Sequence, residues 1–300
     1  MKPIFTFPPP RRRLNNLSTQ NPKNLSKQTE PPQYSSSPKY LLNCYRGQRD
    51  ASWPIEAGIF RREFKGLLKN EKWAVRDLIS VHPSEFATDE TMFDKLVRMQ
   101  HFGLPTRLLD VSRNALVALY VATDPGPKPS NGKVIIFSIP RECEKYFDSD
   151  SVSCIANLAN MTSDEKDEIY RLEESLIGLP EDEQIAKFNE DGVVKRLYQF
   201  IRSEKSYFQP IIRPIDLLLP YYVHPKMSNR RILAQSGAFI LYGIAPFKKI
   251  FWPYKIEETH LLVPQKAKEP IRKALANLGI NESTLYPEFD KAAARIKNQY

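Results

Sequence analysis

Tyr45-Arg46-Gly47-Gln48-Arg49 places a guanidinium at the end of an apolar, aromatic run that begins at Tyr40. An arginine cannot shed its proton there, so partial burial obliges it to meet a carboxylate, a phosphate or a carbonyl. A second polar cluster interrupts Leu-rich sequence: Gln100-His101-Phe102-Gly103-Leu104-Pro105-Thr106-Arg107-Leu108-Leu109-Asp110. Arg107 and Asp110 lie three positions apart and are expected to pair. Arg113 and Asn114 stand at the mouth of the apolar segment that follows, where the first amides of a helix attract anions. A third cluster, Arg230-Arg231-Ile232-Leu233-Ala234-Gln235-Ser236-Gly237-Ala238-Phe239, joins arginine and an amide to a strand. Should the three clusters meet in one pocket, arginines gathered with little acid call for an anionic ligand, phosphate first. Arg46, Tyr45, Gly47, Gln100, His101, Arg107, Asp110, Asn114 and Arg231 are then the candidate ligand contacts. The alternative is structural: Arg46 braces a turn and Arg107–Asp110 is a scaffold pair.

Other chemistries find little support. The four histidines, His82, His101, His224 and His260, show none of the i, i+4 pairing of a helical zinc site. Neither a Gly-rich phosphate loop nor a Gly-x-Ser-x-Gly elbow occurs. Cys44, Cys143 and Cys154 have no metal-ligand spacing, and an odd number without a signal sequence points to unpaired thiols in a reducing, cytoplasmic setting. No apolar run approaches the roughly 20 residues of a membrane span, so no membrane association is expected.

The elements that must carry these clusters follow from patterning. Residues Tyr40–Gly47 read as a buried strand. Apolar positions Phe86, Met92, Phe93, Leu96 and Met99 predict a helix over 84–99, capped by Thr88 or Asp89 and stopped at Gly103-Leu104-Pro105. Ala115–Thr123, capped by Ser112 or Asn114, is apolar nearly all round and should be a central helix. Lys133–Ile139 and Ala238–Tyr242 read as strands, and Pro270, Gly279 and Pro287 punctuate two terminal helices. Residues 161–192 hold eleven Asp and Glu behind a Thr162-x-x-Glu165 capping box, and read as a solvated helical insertion. The fold class is α+β: a short-stranded sheet with several packed helices, too irregular for a doubly wound or barrel fold.

The formal charge of +9 is uneven. Residues 1–38 carry six basic residues against Glu30, so +5 of it lies there, with eight prolines and few aliphatics. Such a stretch cannot offset the entropy of ordering and reads as a disordered basic tail before one domain over 39–300. The tail suits nucleic acid or another polyanion, whereas the remaining charge is weak for a domain of that size.

The three clusters resemble the FRG domain, a bacterial and phage family named for a Phe/Tyr-Arg-Gly motif. Tyr45-Arg46-Gly47-Gln48, with Trp53 and Phe60-Arg61, is similar to its opening block. Gln100 to Asp110, followed by Asn114-Ala115-Leu116-Val117-Ala118-Leu119-Tyr120-Val121-Ala122, is similar to its central signature. Gly132-Lys133-Val134, Arg231-Ile232-x-x-Gln235-x-Gly237-x-Phe239 and Leu285-Tyr286-Pro287 resemble later blocks, so that the likeness runs over about 41–298. Val111-Ser112 stands where the family usually has Trp-Thr, which removes an aromatic ring near the pocket.

Family members accompany phage and mobile-element genes, which implies a defence or toxin role. The aromatic-Arg-Gly strand also resembles the first motif of ADP-ribosyltransferases, which implies NAD as substrate and no bound cofactor. In that likeness Arg46 holds the dinucleotide phosphates and Thr106 or Ser112 orients the ribose. Gln235 then stands where the glutamate that supports an oxocarbenium-like transition state would be sought. A non-catalytic module for a phosphorylated ligand or nucleic acid, and a purely structural domain, remain the alternatives.

Overall fold

Alternating burial along β1 (Leu41–Gln48) sends Cys44 and Gln48 into the interior, and both neighbours of Arg46 in the motif take part in packing. A computed structural model describes residues 41–227, 229–244 and 255–287. The expected tail over 1–38 and the helix expected beyond Pro287 lie outside them. Among the described residues six further strands join β1: β2 (Leu108–Ser112), β3 (Gly132–Pro140), β4 (Glu144–Tyr146), β5 (Tyr221–His224), β6 (Gly237–Leu241) and β7 (Glu257–Val263). They form one sheet in the order β4-β5-β6-β2-β1-β3-β7, antiparallel except for β4 beside β5. The fold is mixed α and β, as the patterning implied.

The register explains the site. β1 pairs with β3 along its whole length, from Leu41 opposite Pro140 to Gln48 opposite Lys133. Against β2 it makes a single register pair, Tyr45 with Ser112, whereas β2 runs beside β6 from Leu108–Leu241 to Ser112–Gly237. The three polar clusters of the sequence therefore lie on adjacent strands β1, β2 and β6.

The first helices are α1 (Lys65–Lys69), α2 (Glu71–Val81), α3 (Met92–His101) and α4 (Ala115–Ala122). Asn114 caps α4, its side-chain oxygen accepting from the Leu116 amide at 2.9 Å. The uniform apolarity of α4 has a structural cause. Ala118 and Ala122 pack on Tyr45 and Val134 of the sheet, while Val117 and Tyr120 pack on Leu275 and Leu285 from the chain's later helices. Gly47 makes the strand-to-helix approach possible: a Cβ there would stand 2.0 Å from the Ala118 carbonyl oxygen.

Helix α3 is capped two or three residues later than expected and begins at Met92 rather than Ser84. Thr91, not Thr88 or Asp89, is its cap, in a capping box with Asp94. Asp89 is engaged elsewhere, held by Arg98 at 2.6 and 2.8 Å, and the Met92 amide donates to Glu204 at 2.7 Å.

The large core beyond α3 is closed by α5 (Asp150–Asn157), α6 (Ser163–Leu176), α7 (Glu181–Glu190) and α8 (Gly192–Glu204). The Thr162–Glu165 capping box forms as its spacing predicted. The acidic stretch is more than a solvated addition, because Ile169, Leu176 and Phe188 are buried in this core. Three further helices follow among the described residues: α9 (Arg230–Ala234), α10 (Lys268–Asn277) and α11 (Glu282–Leu285). Gly279, at φ +79°, ends the α10 segment. Among the described residues no helix is long and apolar enough to cross a membrane.

Candidate functional site

Arg46 is mostly buried, with 16% of its side chain exposed. Its Nη1 donates to the Asp110 carbonyl at 2.5 Å, filling the position where β1 and β2 make no further register pair. Among the described residues its ion-pair partner is the Asp110 carboxylate, 4.0 Å away and 66% exposed. Arg46 Nε is buried without a hydrogen-bond partner. Burial lowers the guanidinium's proton affinity, Asp110 opposes that shift, and the like charge of Arg61 adds to it. The proton nonetheless stays, so the site carries positive charge that its surroundings compensate poorly.

Arg107 is treated in the opposite way. Its Nε and Nη2 donate to the two Glu71 oxygens at 2.7 and 2.6 Å, and Nη1 donates to the Gly243 carbonyl at 2.8 Å. Lys166 adds a third bond to Glu71 at 2.7 Å. All three residues are buried. Burial alone would raise the Glu71 carboxyl, but Arg107 and Lys166 outweigh it and hold it below the usual carboxylate range. The expected Arg107–Asp110 pair is absent, and the reason is periodicity. Residues three apart share a helix face, but 108–112 form a strand, where they point to opposite sides.

Thr106 is buried behind the cleft described next. Its hydroxyl donates to Gln100 Oε1 at 2.5 Å and accepts from the Leu108 amide at 3.2 Å. Ser112 Oγ donates to the Gln235 main-chain carbonyl at 2.6 Å, binding β2 to the turn between α9 and β6. Ser236 in that turn has φ 47°, a left-handed conformation uncommon outside glycine. The Gln235 side chain donates through Nε2 to the Leu285 carbonyl at 3.1 Å, and the Arg231 guanidinium lies 5.2 Å from the Tyr286 ring centroid.

Between α3, β2, β6 and α9 lies a cleft of about 110 Å³, lined by Gln100, His101, Asp110, Arg231 and Gln235 among others. Val111, in the position of the missing family tryptophan, is buried at its wall. A second cleft of about 470 Å³ shares Val97, His101 and Asn229 with the first and adds Arg98, Lys226 and Arg230. Five candidate residues thus share one cleft, and Arg46 reaches its wall through the Asp110 carbonyl. The others stand apart: Thr106 behind Gln100, Arg107 with Glu71, Tyr45 and Gly47 against α4, and Asn114 at the α4 cap. Sequence reasoning passed over Asn229, which lines both clefts and caps α9 through the Arg231 amide at 2.7 Å. An Asn directly before a helical run is an N-cap signal that could have found it.

Cys44 and Cys143 are buried, and burial pushes their thiols up to about 12 and about 11. No group of His, Cys, Asp and Glu that could hold a metal ion occurs among the described residues.

A family model described as the FRG domain matches residues 42–130, which hold the Tyr-Arg-Gly strand, the Gln100–Asp110 segment and α4. The chain is therefore an FRG domain-containing protein. The Arg231–Phe239 block lies outside the matched residues. No curated protein and no solved structure matches the chain.

Proposed function

We propose that the cleft is a nucleotide site of ADP-ribosyltransferase type, in which Arg46 holds the phosphates of NAD. The observation that carries this reading is the uncompensated charge of Arg46: a mostly buried guanidinium with an unpartnered Nε, a second arginine nearby and the Asp110 carboxylate at 4.0 Å. A phosphate supplies the missing charge and acceptors in bidentate geometry. The strand order supports the finer assignment, because Arg46 on β1, Ser112 on β2 and Gln235 before β6 stand on neighbouring strands. Ser112, buried as Thr106 is, is the hydroxyl beside the Gln235 main chain. Asp110 is the carboxylate available to a developing positive charge as nicotinamide leaves.

One observation favours the non-catalytic alternative. Gln235 is an amide where an acid would be wanted, and its nitrogen is committed to the Leu285 carbonyl. The same arginine and cleft then serve a phosphate-bearing ligand without turnover.

Thermal shift with NAD, ADP-ribose and ATP, together with a nicotinamide-release assay, separates the two readings. Stabilisation that Arg46→Ala reduces by about 1.5–3 kcal/mol of binding energy is expected. Turnover supports the transferase reading, and binding without turnover supports the binder. A folded Arg46→Ala protein that still binds these ligands unchanged sinks both. The family likeness extends the reading to a phage-defence or toxin effector, for which growth arrest on expression, relieved by Arg46→Ala, is the readout. Nucleic-acid binding through the basic residues 1–38 is tested by deleting them and measuring affinity at two salt concentrations.

A further inference from the structure

The polarity of the small cleft follows from what its two amides already touch. A backbone carbonyl only accepts, so the Gln235 group that meets the Leu285 oxygen at 3.1 Å must be its NH₂. The carbonyl oxygen of Gln235 is the end left for the cleft. Gln100 is set the other way round. Thr106 Oγ already accepts from the Leu108 amide at 3.2 Å, and its own proton goes to Gln100 Oε1 at 2.5 Å. The NH₂ of Gln100 is the end left for the cleft. Two glutamines of identical chemistry therefore present opposite groups to one space of about 110 Å³, and the Asp110 carboxylate adds a second acceptor.

We infer that this inner cleft takes a flat heteroaromatic ring bearing an acceptor and an amino donor side by side. The ring's acceptor meets the Gln100 NH₂, and its NH₂ meets the Gln235 carbonyl and Asp110. A primary carboxamide on a pyridine and the amino-azine edge of adenine share this pattern. A carboxylate in place of the amide sets negative charge against Asp110 and Gln235. A lactam edge in place of the amino-azine sets donor against donor and acceptor against acceptor. The space suits one such ring, so the remainder of a nucleotide lies outside it, with its phosphates toward Arg46 beyond the Asp110 carbonyl. The inference rests on the reading above for its view of the cleft as part of a nucleotide site.

Calorimetric titration of the full chain tests it with two matched pairs, nicotinamide against nicotinate and adenine against hypoxanthine. At least one amino member is expected to bind about tenfold or more tightly than its partner, since a mismatch leaves a buried polar group unpaired. The pair that discriminates identifies the ring. Gln100→Glu keeps the acceptor that Thr106 needs but removes the donor, and it is expected to lower affinity for that ring about tenfold. Equal binding within both pairs, or preference for nicotinate or hypoxanthine, overturns the inference in the unaltered protein, whatever the variant does. ADP-ribose binding that depends on Arg46, with no ring binding at all, overturns it and leaves the nucleotide reading standing. Selective ring binding without any response to phosphate-bearing ligands does the reverse. Silence from every ligand removes both.

Discussion

Arg46 and Arg107 come from the two motifs that mark this family, and the fold treats them as opposites. Arg107 meets a full bidentate carboxylate, a second cation on that carboxylate and a backbone carbonyl, all away from water. Arg46 has one carbonyl, a distant exposed carboxylate and an unpartnered nitrogen. Both guanidiniums keep their proton, but one charge is compensated in full and the other is not. A satisfied buried arginine organises the fold around itself, while an unsatisfied one leaves room for something from outside. The contrast shows why a motif arginine carries no role until its partners are known.

Breaking the satisfied side should give the largest effect. Glu71→Ala strands two buried cations and is expected to cost about 3–5 kcal/mol of unfolding free energy, measured by urea denaturation. Arg46→Ala should cost only about 1 kcal/mol on the same scale, because it removes one hydrogen bond and a loose ion pair. Equal losses from the two variants would erase the comparison.

Acid sharpens the same point. The folded-state pKa of Glu71 lies below its ordinary value, so its contribution is complete above the unfolded carboxyl range near 4.3. That contribution drains away as pH falls through the lower folded value. Denaturation midpoints taken between neutral pH and about pH 3 should decline, and Glu71→Gln, which cannot titrate, should show a shallower decline.

Gly47→Ala probes the motif's third letter. The added methyl meets the Ala118 carbonyl oxygen at 2.0 Å, so α4 must shift from β1, at a cost on the order of 1–3 kcal/mol. Such a loss with ligand affinity little changed would place Gly47 with Arg107 on the scaffold side. The smallest effect belongs to Ser236→Gly, which relieves the left-handed φ of 47° and should stabilise the fold by about 1 kcal/mol or less. A weakened ligand response in that variant would mean that the strained turn holds Gln235 in place.

Much of the central region was legible. The Tyr-Arg-Gly strand, the Asn114 cap, the all-apolar α4 and the Thr162–Glu165 box follow from local chemistry, and the structure contains each. The convergence of Gln100, Asp110, Arg231 and Gln235 was readable as a pattern of polar residues in apolar sequence. What stayed hidden was non-local. Glu71 looks like any acid opening a helix, and nothing in its neighbourhood announces an arginine 36 positions away. Strand β7, Glu-Glu-Thr-His-Leu-Leu-Val, is exposed at all but its last residue and so shows no alternation. Strand β4 has three residues, too few for any period. The orientations of the Gln100 and Gln235 amides depend on Thr106 and Leu285, and no spacing rule encodes which end of an amide is occupied.

The hydrogen bond from Gln235 to Leu285 also sets an order of events. A ribosome builds the chain from the amino end, so Arg46, Gln100, Asp110 and Gln235 all emerge before the carbonyl that orients the last of them. Until α11 docks on α4, the Gln235 amide is able to rotate, and the cleft has only Asp110 as an acceptor. On the proposed reading, recognition at this site is completed only when α10 and α11 are in place, and a chain stopped short of Leu285 should keep most of its core yet lack its discrimination between ligands.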